Sequence, residues 1–283
     1  MQTTLKNEFL EAKINHLGAE LSALIKEEEN LIWTIDEKYW NKISPVLFPI
    51  VGRLKNDSYT LNGQQFEMLR HGFARNYNFD LVLKTANEAV FSLKNSPETL
   101  EMYPFEFEFQ IQYTLKTNSL EMKYKVFNTS DENMPFSVGA HPAINIKGNI
   151  EDYAILFEDA GNNLLIHKIK SDLFSGETEE LALQNGLLNL NYDLFKDDAL
   201  VFKNHTVNAL KLLRNQKPIL SLRLPDFPFL GIWTKSNAPF LCLEPWCGMA
   251  DNANHNGDFL QKEGINILAP NSEFEAAFEI EVH

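Results

Sequence analysis

From Phe105 to Leu115 every second residue of this chain is apolar: Phe105, Phe107, Phe109, Ile111, Tyr113 and Leu115 alternate with Glu106, Glu108, Gln110, Gln112 and Thr114. A period of two is the side-chain period of a strand with one face buried and the other in water. The pattern resumes after the polar turn 116–119 as Leu120, Met122, Tyr124 and Val126, which predicts a long antiparallel hairpin lying on a core. A second hairpin is predicted over residues 58–61 and 64–68, because Asn62-Gly63 supplies the two positive-φ positions of a type I′ turn. Further strands are expected over 9–15, 21–26, 79–84, 89–94, 154–157, 219–224, 230–234, 240–244 and 274–282. Helical signals are confined to 36–40 and 97–102, each a short helix or a turn, and 186–198 carries no helical stripe. No linker, low-complexity tract or internal repeat divides the chain. Many strands, few short helices and no linker predict an all-β chain: a large antiparallel β-sandwich forming one domain over residues 1–283.

Composition narrows the function. With 25 Lys+Arg against 39 Asp+Glu the net charge is −14, the wrong sign for a nucleic-acid partner or an anionic membrane surface. A locally basic pocket for a small anion remains compatible with that charge. No apolar run reaches the ~20 residues a spanning helix needs, and no secretory leader is readable at the N-terminus, so a cytoplasmic protein is expected. Cys242 and Cys247 are the only cysteines; five apart, they lack zinc-site spacing and read as small core residues.

Four strings place polar groups in apolar surroundings. In Phe48-Pro49-Ile50-Val51-Gly52-Arg53 the guanidinium of Arg53 suits an oxygen-rich ligand, and equally an ion pair with a neighbouring acid. In Arg70-His71-Gly72-Phe73-Ala74-Arg75 the imidazole of His71 can exchange a proton near neutrality or serve as a structural hydrogen-bonding group. His141 lies in the nearly uncharged Ser137-Val138-Gly139-Ala140-His141-Pro142-Ala143-Ile144-Asn145, where Pro142 restricts the residue before it to extended geometry. Glu244 follows three apolar residues in Phe240-Leu241-Cys242-Leu243-Glu244-Pro245-Trp246; desolvation there strengthens it as a base, and Trp246 offers a flat face for a sugar ring. Two histidines, a desolvated carboxylate and an arginine make an acid/base set for an oxygen-rich substrate. No nucleophile elbow, P-loop, dinucleotide fingerprint or His-Glu-x-x-His string is present, so neither a cofactor nor a metal is expected.

Taken in order, the strings at 48–53, 71–75, Tyr103-Pro104-Phe105, 139–142 and 243–246 resemble the aldose 1-epimerase (galactose mutarotase-like) family, most of all its shorter bacterial branch. The resemblance covers nearly the whole chain and implies a large antiparallel β-supersandwich and a cofactor-independent isomerase. It implies interconversion of the α and β anomers of a free hexose or hexose phosphate, with Glu244 as base and His141 as acid. His71 and Arg53 match sugar-binding positions. Asp198 is the candidate for a hydroxyl-binding aspartate, with Asp197 and Asp226 as alternatives. Acid and base are expected to face each other across a gap the size of a pyranose. Arg53, Lys55, Arg70 and Arg75 leave room for a phosphate. The expected partner is a small sugar, with the protein a monomer or homodimer. A non-catalytic carbohydrate binder or sensor is the alternative; a glycoside hydrolase ranks below both, because Glu244 has no clear carboxylate partner.

Overall fold

The computed structural model describes residues 1–283. The alternating stretch forms the antiparallel pair Phe107–Leu115 and Ser119–Asn128, in register from Leu115 opposite Leu120 to Phe107 opposite Asn128. Along the first strand every odd residue is buried and every even one half-buried, as the sequence pattern requires. This pair sits within a nine-stranded antiparallel sheet bounded by Leu187–Asn189 and Asp80–Lys84. Its inner aromatic residues meet the second layer directly: Phe48 stacks on Phe109 with ring centroids 4.6 Å apart.

The second large sheet has Phe240–Cys247 at its centre, between Phe229–Trp233 on one side and Val138–Ala140 with Ala143–Asn145 on the other. All eight residues of that central strand are buried, because both edges are paired and both faces covered. A cluster of 71 buried apolar residues runs between the layers and draws on segments from Leu5 to Val282. Its apolar area is the dominant favourable term in folding.

The Asn62-Gly63 hairpin forms as expected, with φ of 52° and 81° at the two turn residues. Pro97–Met102 is a single α-helical turn capped reciprocally by Ser96 and Thr99. Residues 36–40 make a turn, closed by the Tyr39 and Trp40 N–H groups on the Asp36 carbonyl. Several strands escaped the sequence reading, among them Gln2–Lys6, Leu200–Lys203 and Ala209–Arg214, and so did a whole hairpin, Asn163–Lys170 with Leu173–Ala182. It stands off the main sheets and buries little beyond Leu164, Ile166, Phe174 and Leu181, so its alternation is faint. No helix is long and apolar enough to cross a membrane.

Candidate active site

His141 and Glu244 come together through strand register. Val138 and Gly139 pair with Cys247 and Trp246, and Ala143 and Ile144 pair with Cys242 and Leu241, all in one continuous register. Extending it through the break at His141-Pro142 sets His141 opposite Glu244. Their Nε2 and Oε2 atoms lie 3.2 Å apart, and both residues line a cavity of about 340 Å³. That volume is at the small end for ligand sites and matches a monosaccharide better than a chain of sugars. The pyranose-sized gap expected between them is absent; they touch. The Trp246 indole N–H is turned to the Glu244 carboxyl and favours its ionised form; His141 Nδ1 and Glu244 Oε2 are buried without a hydrogen-bond partner. These are unspent donors and acceptors of the kind a bound ligand satisfies.

Burial dominates the electrostatics of the pair. It pushes the Glu244 carboxyl well above its ordinary range, a shift that the Arg70 charge opposes. It also pulls His141 down to about 3, with the charges of Arg70 and Arg75 acting in the same direction. Both shifts favour the neutral forms, a carboxylic acid beside an uncharged imidazole. In the unfolded chain between the ordinary values of 4.5 and 6.5 the carboxyl is ionised and the histidine carries a proton. The two groups therefore act in opposite directions on the pH dependence of stability. Glu244→Gln removes the component in which stability falls as pH rises, and leaves the His141 component in which stability rises with pH. In urea unfolding between pH 4.5 and 6.5 the stability of this variant is expected to rise more steeply with pH than that of wild type. Equal slopes would show that Glu244 is ionised in the folded protein.

His71 packs edge-on against His141, with centroids 5.7 Å apart. Its backbone takes φ of 69°, followed by Gly72 at the same angle. A Cβ on Gly72 would stand 2.3 Å from the Phe48 carbonyl oxygen, so the bend that aims His71 needs glycine there. N–H groups point at both ring nitrogens, Gly52 N at Nδ1 and Arg70 Nε at Nε2, each at 3.1 Å. A neutral imidazole accepts at one nitrogen and a protonated one at neither. Burial and the adjacent His141, Arg70 and Arg75 likewise hold His71 well below its ordinary range. His71 is therefore placed as a neutral polar contact, not as a proton donor near neutrality.

Arg53 lies elsewhere. Its guanidinium grips Asp57 through two bonds of 2.8 and 2.6 Å and reaches Asp172 at 3.1 Å. It does not line the cavity, and the ion pair with a neighbouring acid is what the structure contains. Arg70 faces the cavity instead and bonds the other oxygen of Asp172 at 2.8 Å. Asp172 sits at the tip of the hairpin that the sequence reading missed, so that hairpin ties Arg53 to Arg70 at the cavity wall.

Asp198 lines the cavity, accepting 2.7 Å from the Ala199 N–H, with its carboxyl raised by burial. Asp197 is exposed and turned to Lys168, and Asp226 accepts from the Ala277 N–H, away from the cavity. Trp246 contributes to the wall, but its ring is pressed between two strands. A Cβ on Gly139 or Gly231 would come within 2.6 Å of it. Glycine at both positions makes room for the indole across the sheet. The faces over the pair come from residues that carried no sequence signal: Trp40 stacks on His141 at 4.9 Å and Trp233 meets its edge at 5.8 Å. A Trp flanked by charged and polar residues at 36–42 gave no local hint of that role. Ligand atoms of His141, Cys242 and Glu244 lie within 4.8 Å of one another. A cation held there would occupy the His141 and Glu244 atoms that now contact each other.

Known proteins bear on this arrangement. Residues 1–273 match the family model for aldose 1-epimerase. The chain is 32% identical to the chromosomal LacX protein of Lactococcus lactis, over 100% of this chain and 99% of that one. It superposes on a galactose mutarotase related enzyme from Lactobacillus acidophilus with a TM-score of 0.94 and 36% identity, covering 100% of this chain and 97% of the other. A galactose mutarotase-like protein from Lactobacillus casei gives a TM-score of 0.95 at 30% identity, with 100% of both chains covered.

Proposed function

The chain belongs to the aldose 1-epimerase family, and on that premise we propose that it interconverts the α and β anomers of a free hexose or hexose phosphate, with Glu244 as base and His141 as acid. The observation that carries this reading is the 3.2 Å contact of an unbonded carboxylate oxygen with an imidazole nitrogen inside a monosaccharide-sized cavity.

The pair starts with one proton between its two members. The reaction proceeds from the form with that proton on His141 and Glu244 ionised; the positive charge of Arg70 favours the ionised Glu244, while burial favours the neutral pair. Glu244 takes the proton of the anomeric hydroxyl, the C1–O1 bond becomes a carbonyl, and the C1–O5 bond breaks with its electron pair going to O5. His141 protonates O5. Rotation about C1–C2 presents the other carbonyl face, and the same steps in reverse close the ring. The substrate supplies its own electrophile, and each proton removed is returned, so the cycle balances without an outside reagent. Stacked Trp40 and edge-on Trp233 exclude water from the pair and hold the ring of His141 in place. Asp198, His71 and Trp246 are assigned to the sugar hydroxyls and O5.

Polarimetry tests the reading. Freshly dissolved α-D-glucose or α-D-galactose, or a 6-phosphate of either, is expected to reach its equilibrium rotation faster with the protein than in buffer. A panel of aldoses and aldose phosphates that relaxes no faster than buffer, while a sugar still raises the melting temperature, identifies a binding protein instead.

A further inference from the structure

The mutarotase reading, on which this inference rests, leaves the charge of the cavity wall unused. Four cationic side chains line it, Lys42, Arg70, Arg75 and Lys235, in a chain whose net charge is −14. Arg70 is engaged with Asp172. The other three form no ion pair: Arg75 donates to the Arg70 carbonyl at 2.7 Å, and Lys235 donates to the Tyr39 carbonyl at 2.8 Å. Of the facing acids, Asp172 is shared by two arginines, which leaves Asp198 and the buried Glu244, while Glu20 lies close enough to Lys42 to feel its charge. A half-buried guanidinium with no counter-charge is costly to hold, and an anion beside it offsets that cost. Arg75 and Lys42 also share a support. Gly18 packs against the Arg75 backbone, where a Cβ would lie 3.1 Å from Arg75 Cα. The Glu20 carboxylate accepts from Ile43 N and Ser44 N, directly after Lys42.

We propose that the preferred substrate is an anionic aldose whose charged group is held by Arg75 and Lys42, with Lys235 on the same wall. The anion cannot sit on O1, because ring opening needs that hydroxyl free, so it belongs elsewhere on the sugar, with the exocyclic C6 the natural carrier. A 6-phosphate and a 6-carboxylate share this chemistry. Arg53 and Lys55 take no part: Arg53 is paired with Asp57 and Asp172, and Lys55 donates to the His255 carbonyl.

The test measures anomerisation by exchange NMR on glucose and galactose, their 6-phosphates and their uronates. Wild type is compared with Arg75→Gln, Lys42→Gln and the double variant. Wild type is expected to favour an anionic sugar in kcat/KM by roughly 10- to 100-fold, the size of charge-assisted contacts. The preference is expected to collapse toward parity in the double variant, mainly through KM, and to shrink with added salt in wild type alone. A preference for the phosphate over the uronate, or the reverse, tells which anion the site takes; either supports the proposal. Wild type that turns over neutral hexoses as well as both anionic forms overturns it. If no sugar is turned over, the mutarotase reading fails separately, and calorimetric binding of glucose 6-phosphate decides this one. Binding lost in the double variant supports the anion site, and equal binding in both proteins overturns it. Near-UV circular dichroism matching wild type establishes that the variants are folded.

Discussion

Glu244→Gln is expected to lower kcat for anomerisation by about 10²- to 10⁴-fold, the range for losing a general acid or base. The amide keeps the shape of the carboxyl but neither accepts nor releases the proton. His141→Asn is expected to lose a similar factor. On the proposed mechanism the two groups, 3.2 Å apart, act together on one substrate, so the double variant should fall little further than either single one, the non-additivity of residues that act as a unit. Sugar binding should survive in Glu244→Gln, because Asp198, His71 and Trp246 remain. Retention of more than a tenth of wild-type kcat by either single variant would remove that residue from the proton path.

Lys262→Met is expected to destabilise the fold by about 3–5 kcal/mol, the cost of leaving one member of a buried ion pair alone. Lys262 and Asp251 are both buried, 3.0 Å apart, and burial pulls the lysine below its ordinary range. Lys262 also donates to the Met249 carbonyl. Asp251 accepts from the Lys55 N–H, its own N–H donates to the Arg53 carbonyl, and its carbonyl accepts from Phe174 N. The pair therefore ties residues 53–55, the hairpin that carries Asp172 and the segment containing the cavity residue Ala250 into one support. Lys262→Met combined with Asp251→Asn should recover part of the loss, because asparagine still accepts from Lys55 N and leaves no lone charge. Urea denaturation measures both. A change below 1 kcal/mol for Lys262→Met would show that water reaches the aspartate.

The strands and the chemistry were legible in the sequence to different depths. Leu21–Lys26 and Pro97–Met102 have the bounds expected for them, and the Phe107–Leu115 hairpin is paired as its alternation required. Each of these carries its signal locally, in a period or a cap. The hairpin 163–182 did not, because a two-stranded ribbon that leans on the molecule needs few apolar residues. Among the site residues, His141, Glu244, His71, Asp198 and Trp246 reach one cavity; all but Asp198, which only the family resemblance suggested, lay in a short string of unusual polarity. Arg53 lay in such a string too, yet its side chain turns to Asp57 four residues on. Arg70, one residue before His71, takes the cavity wall.

What the sequence determined by itself was the antiparallel β architecture and which polar residues, His141 and Glu244 among them, stand in apolar strings; their assignment as acid and base came only with the family resemblance. Architecture and candidates follow from local contrast, apolar against polar. What only the tertiary structure decided was which charges face the ligand and which are spent on one another. Arg53 and Arg70 have the same chemistry and similar neighbours, and both reach Asp172 from a hairpin more than a hundred residues away. A long, charged side chain chooses among partners that the fold brings from distant segments, and no short window of sequence contains that choice.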